Sequence, residues 1–221
     1  MIDSFFNMEI IGEAWPILLQ GFAATLLLTV ITVPLGCAAG LLLALGSTIR
    51  HPWVRWPLIV WVDFFRALPP LVLLIFIYAG LPFAGLRLSA YGAVALGFFL
   101  NGGAYYGEIL RAGIESVPAG QAEAARSTGL TRLQALRYVV LPPAVRNVLP
   151  DLLSNTVEVV KLTSIASVVA LPELLYQARQ AQSVTYNATP IMAAAVLYFL
   201  LLWPAVRLLS RLQNRALAGR G

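Results

Sequence analysis

Between Glu13 and Arg50 the chain carries no charged residue, and the run includes LLQGFAATLLLTVITVPLGCAAGLLLAL. That single stretch decides the solvent in which the chain folds, because a helix needs about 20 consecutive apolar residues to cross a bilayer. The rest of the sequence agrees: 59% of residues are hydrophobic and 11% charged, against about 25% charged in a soluble domain. An integral membrane protein is expected. The N-terminus opens on acidic residues, Asp3, Glu9 and Glu13, where a cleaved signal peptide has a basic region, so the first run is expected to remain as a span.

Four further apolar stretches follow, at residues 56 to 80, 88 to 107, 144 to 170 and 183 to 206. The fold class expected is an all-α integral membrane protein with five transmembrane helices, residues 1–221 forming a single transmembrane domain. The fourth stretch carries Asp151, Glu158 and Lys161, each costing roughly 2.5 to 3.5 kcal/mol at a helix centre. The distribution of arginine supports counting it. Arg50 and Arg55 follow the first stretch, Arg111, Arg126, Arg132, Arg137 and Arg146 lie between the third and fourth, and Arg207, Arg211, Arg215 and Arg220 follow the fifth. An odd number of crossings places these segments on one side, leaving Arg87 and Arg179 on the other. By the positive-inside rule the N-terminus is expected outside and the C-terminus in the cytoplasm.

The net charge of +5 is thus a matter of orientation, and its dispersal over three loops gives no nucleic-acid patch. Cys37 is the sole cysteine and lies in the first span, where it reads as a small buried apolar residue with no metal cluster around it. His51, the sole histidine, sits beside Pro52 in a short loop. A nucleotide-binding P-loop needs a lysine after glycine, whereas the one lysine, Lys161, stands between Val160 and Leu162. No G-x-S-x-G elbow is present either. The chain is therefore expected not to be an enzyme, and transport or channel function is the class that remains.

One polar segment interrupts the oil. Residues 119 to 142, AGQAEAARSTGLTRLQALRYVVLP, place helix formers on both sides of Gly129, a residue suited to a left-handed helix end. Two short cytoplasmic helices follow, the second capped by Thr131 with Gln134 completing a capping box and ended by Pro142-Pro143. Ala124, Ala125 and Thr128 are expected to form a small-residue surface for another protein. The residues alone equally allow a helix lying on lipid headgroups with its arginines snorkelling.

The same stretch resembles the EAA loop of ABC-type importer permeases: Glu123-Ala124-Ala125, three residues, Gly129, nine residues, Val139 in place of the usual isoleucine, one residue, then Leu141-Pro142. Further segments are similar to the polar amino-acid branch of that family: GFAATLLL from Gly21, RALPPL from Arg66, AYYGEILRAGIESVPAGQ from Ala104 and KLTSIASVVALPELL from Lys161, so that the likeness spans about residues 15 to 213. The resemblance implies a permease subunit in a bacterial inner membrane. It pairs with a second copy or a paralogue, receives a polar amino acid from an external binding protein, and docks ATPase subunits through the cytoplasmic coupling helix pair. No cofactor is implied in this chain; ATP and Mg belong to the partner ATPase. Glu123, Ala124, Ala125 and Gly129 are the implied coupling residues, with Glu123 alternatively a mere helix-start acid.

For the substrate pathway the candidates are Asn101, Glu158, Lys161, Thr163 and Ser164. Glu158 and Lys161 lie three apart and can neutralise each other, while intramembrane charges usually face a bundle interior or a water-filled cavity. Lys161, Thr163 and Ser164 match the family's Lys-x-Thr-Ser pattern. Asn101, beside Gly102 and Gly103, reads alternatively as a helix-helix hydrogen bond. Asp63 and Arg66 form a second expected i, i+3 pair, and Pro69-Pro70, where the family commonly has Gly-Thr-Pro, is expected to kink the second span. A secondary transporter or a structural membrane scaffold are the alternatives from other classes; five spans without an internal repeat fit the first poorly.

Overall fold

The computed structural model describes residues 5–49 and 51–218. Asp3, Arg50, Arg220 and the side chain of Arg215, all used in the topology expectation, lie outside what it describes. Every described element is helical.

Helix α1 (Met8–Ser47) runs for 40 residues from an Asn7 cap whose side-chain oxygen accepts from the Glu9 and Ile10 amides. Thr25, Thr29 and Thr32 donate to carbonyls of their own helix one turn back, and the Thr25 hydroxyl also accepts from the Leu174 amide of the eighth helix. Next come α2 (Pro52–Ala67), α3 (Pro70–Ile75, extended by a π turn to Gly80 and a 3-10 turn to Ala84) and α4 (Ala90–Glu115). The short pair expected on the cytoplasmic side is α5 (Ala119–Ser127) and α6 (Arg132–Ala135). A π turn (Leu136–Val140) leads into α7 (Leu141–Leu162), followed by a 3-10 stretch (Thr163–Val169), α8 (Leu174–Thr185) and α9 (Thr189–Ala218).

The core is the crossing of α1 and α4. Gly36 and Gly40 of α1 meet Tyr106 and Gly107 of α4, and a Cβ at Gly40 would lie 2.5 Å from Tyr106 and 2.7 Å from the Gly107 amide. Small residues let two backbones approach in lipid, where no hydrophobic drive brings helices together. Tyr106, fully buried, ends its hydroxyl on Thr156 of α7 at 2.8 Å, so three helices converge there.

Three described helical stretches are long and apolar enough to cross a membrane: Met8–Ser47, Arg132–Val169 and Thr189–Arg211. A fourth is added if the bent pair Pro52–Ala67 and Pro70–Ala84 is one span. The expected count of five is therefore not reached on length and composition. Helix α4 has 26 residues, enough for about 39 Å at 1.5 Å per residue. Its glycines, tyrosines and Asn101 make it less apolar than a lipid-facing helix, and α1, α2 and α7 pack around it.

Three expectations change. The second span does not merely kink at Pro69-Pro70: its halves meet at 99°. Pro142 and Pro143 do not stop the helix, because the preceding backbone widens into a π turn, with the Leu141 amide reaching back to the Leu136 carbonyl. Both prolines sit in the first turn of α7, where a missing amide is harmless. The loop expected around Arg179 is instead α8, capped by Glu173, whose buried carboxylate accepts from the Leu175 and Tyr176 amides and from the Tyr198 hydroxyl.

Candidate functional site

The α5–α6 corner is built as its local signals dictate. Gly129 sits at φ +92, a left-handed conformation that side chains resist. The Leu130 amide donates to Ala125 O at 3.3 Å and the Gly129 amide to Arg126 O at 3.1 Å, the Schellman pattern of a helix end. Helix α6 starts on a full capping box, with the Thr131 amide donating to Gln134 Oε1 at 2.9 Å and the Gln134 amide to Thr131 Oγ1 at 3.3 Å.

Glu123 projects into solvent, and its carboxylate makes no hydrogen bond or ion pair among the described residues. It stands on the second turn of α5, which has no acid in its first turn, so a macrodipole role has little to act on. The expected small-residue surface divides. Ala124 and Thr128 are exposed, but Ala125 is buried and faces the chain's own interior. Behind the helices runs a cleft of about 300 Å³ lined by Glu123, Arg126, Arg132 and apolar residues such as Val117 and Leu136. Arg132 spans it to donate to Thr48 O at 2.9 Å, and Asn147 of α7 donates to Ser116 Oγ at 2.8 Å beyond the end of α4. The corner is thus fastened to the ends of α1 and α4.

A second polar surface lies on α7. Asp151, Ser154, Asn155 and Glu158 recur at helical spacing and, with Ile109 of α4, line an open cavity of about 410 Å³. Glu158 and Lys161 form the expected pair at 2.8 Å, with side chains 59% and 51% exposed. An ion pair so exposed on a helix in hydrocarbon would be costly, so this face belongs against water or another polypeptide. Thr163 is not on that surface: it is fully buried and donates to the Val160 carbonyl. Ser164 donates to the Lys161 carbonyl at 2.8 Å.

Asn101 takes the helix-helix role, buried in α4 and donating to the Phe65 carbonyl of α2 at 2.8 Å. The expected Asp63 to Arg66 pair does not form. Arg66 turns instead to α4, 3.8 Å from Glu108 and 5.6 Å over the Tyr105 ring, while the exposed Asp63 lines a cavity with Glu108 and Arg111. Glu108, Arg111 and Glu115 continue the network, with Arg111 bridging both carboxylates at 2.6 Å. Sequence reading passed over this cluster, although its i, i+3 and i, i+4 acid-base spacing was visible in EILRAGIE.

Residues 36–218 match the family described as binding-protein-dependent transport system inner membrane component. Among similar sequences are a probable amino-acid ABC transporter permease protein, YckA, of Bacillus subtilis (strain 168), 36% identical over 80% of this chain and 78% of its own, and a probable glutamine ABC transporter permease protein, GlnM, of the same organism, 35% identical over 89% and 91%. The octopine transport system permease protein OccM of Rhizobium meliloti is 35% identical over 94% of this chain and 89% of its own. Of solved structures, an amino acid ABC transporter with histidines superposes at TM-score 0.85, with 34% identity over 95% of this chain and 99% of that one. The MetNI methionine ABC transporter shares the fold at TM-score 0.75 and 21% identity, over 90% and 95%. With more than half its length inside the family model and relatives of this kind, the chain belongs to the binding-protein-dependent transport system inner membrane components, among the amino-acid ABC transporter permeases.

Proposed function

We propose that this chain is one half of an ATP-driven importer for a polar amino acid. A second copy or a paralogue faces the α7 surface, and the pathway runs between them along Asp151, Ser154, Asn155 and the Glu158-Lys161 pair. The observation that carries this reading is the exposure of that ion pair, because a membrane helix leaves charge uncovered only where water or another chain covers it. The substrates in the relatives' names, glutamine and octopine, are polar and accord with a polar cargo.

Energy enters at the other end of α7. The α5–α6 corner docks on a cytoplasmic ATPase subunit, which carries the ATP and Mg, through Glu123, Ala124 and the fold that Gly129 and Ala125 maintain. Because α6, its π turn and α7 are continuous, displacement of the docked corner passes directly to the helix bearing the polar face. On the outside a binding protein delivers the amino acid. The chain sits in the inner membrane with five crossings, α2 and α3 together making the second and α4 the third, the N-terminus outside and the C-terminus inside.

Reconstitution into proteoliposomes tests this. Uptake of a labelled polar amino acid should require the ATPase partner, the binding protein and ATP together. Uptake driven by an ion gradient with this chain alone would replace the reading with that of a secondary transporter, and no uptake under either condition would leave a scaffold.

A further inference from the structure

Pro69 and Pro70 carry no amide hydrogen, so the carbonyls four residues earlier, those of Phe65 and Arg66, lose their helical donors together. Within a membrane domain an unmatched carbonyl is expensive, and some other donor must reach it. Both are reached from one turn of α4. Asn101 Nδ2 donates to Phe65 O at 2.8 Å, and Tyr105 Oη donates to Arg66 O at 3.2 Å. Two donors spaced i, i+4 on one helix thus replace two consecutive amides at the point where α2 and α3 meet at 99°.

The two bonds are not equivalent. Asn101 is 5% exposed and its bond is the shorter, whereas Tyr105 is 36% exposed and its bond the longer. Tyr105 also stands one turn from Ile109, which lines the open cavity with Asp151 and Glu158. Beside it the Arg66 guanidinium lies over its ring, and the Arg66 Nε is buried with no hydrogen-bond partner among the described residues. The exposed bond is therefore on the side of the proposed pathway, with an under-satisfied neighbour that gains from rearrangement.

We propose that Asn101 and Tyr105 are positioning residues for transport, standing in for the amides missing at Pro69 and Pro70: Asn101 is the fixed anchor of the α2–α3 bend, and Tyr105 is the half that releases when the bend changes angle. This rests on the importer reading only in that a transport cycle moves α3 against α4. Loss of one neutral hydrogen bond shifts such an equilibrium by about fivefold.

The test uses the assembled transporter, with its ATPase and binding protein, carrying spin labels at positions 60 and 83 on either side of the bend. Tyr105→Phe keeps the ring and removes the hydroxyl. It should redistribute the label distances by about fivefold in population and raise the ATP hydrolysed per amino acid imported, with melting temperature and yield unchanged. Asn101→Ala should lower melting temperature and yield. Parental distances and coupling in Tyr105→Phe, or a lowered melting temperature with parental distances, would overturn the releasing role; an Asn101→Ala protein of full stability would overturn the anchor. The distances are measured without transport, so a parent protein lacking ATP-dependent uptake would sink the importer reading while leaving the bend to be judged separately.

Discussion

The α5–α6 corner runs through α6 directly into the helix that carries the polar face of α7, yet the chain specifies the two in opposite ways. The corner is determined locally: Gly129 supplies the left-handed turn, Thr131 and Gln134 the cap, and Arg132 the tie to α1. The α7 face is left unfinished, with Glu158 and Lys161 satisfied, among the described residues, only by each other and Asp151 exposed beside them. A shape that is complete alone can be grasped by a partner as a rigid body. A surface that is incomplete alone acquires meaning only from what covers it.

Substitutions can separate the two. The largest effect is expected at Gly129→Asp, which forces a side chain into φ +92 and adds charge at the docking corner. Co-purification of the ATPase should fall by about tenfold or more, at roughly 1 to 2 kcal/mol of strain plus lost contact, while the protein remains inserted. Undiminished co-purification would break the assignment of docking to the corner. Next is Glu158→Gln, which leaves Lys161 without its partner. Uptake of a cationic amino acid should drop several-fold more than uptake of a neutral one, on the order of one charge-assisted hydrogen bond. Equal losses for both would make the pair structural. The smallest effect is expected at Thr131→Ala, which removes one side of the capping box and should weaken ATPase docking by about fivefold, near 1 kcal/mol. Docking weakened there as much as in Gly129→Asp would mean that the corner's order, not its turn, is what the partner reads.

How much of this was legible follows the same division. The turn at Gly129, the capping box and the place of the bend at Pro69-Pro70, though not its 99°, were readable because each depends on one or two residues and a backbone rule. Continuity through Pro142 and Pro143 was not, because it depends on a π turn that no residue type announces. Helix α8 was missed because QARQAQ is polar enough for a loop, and its burial comes from α1, which packs so closely that a Cβ at Gly21 would meet Leu174 at 2.9 Å. Arg66 was paired with Asp63 on spacing alone, but spacing says nothing of Glu108, a residue 42 positions away that the α2–α4 packing brings to 3.8 Å. The setting of Thr163 was not legible either, since a motif position does not reveal that a hydroxyl is buried and bonds its own chain one turn back. Helix α4 shows the limit of hydropathy: enclosed by α1, α2 and α7, it is 26 residues long yet is not among the helices apolar enough to count as a span by composition.

The central claim is that force enters at the α5–α6 corner and is used at α7. It is tested most directly by placing a cysteine at Ala124, in a Cys37→Ser background, and cross-linking it in proteoliposomes that hold the ATPase and binding protein. The account predicts a single major cross-linked species containing the ATPase, lost in Gly129→Asp together with ATP-driven uptake. Full uptake in the Gly129→Asp protein with no ATPase cross-link would contradict it.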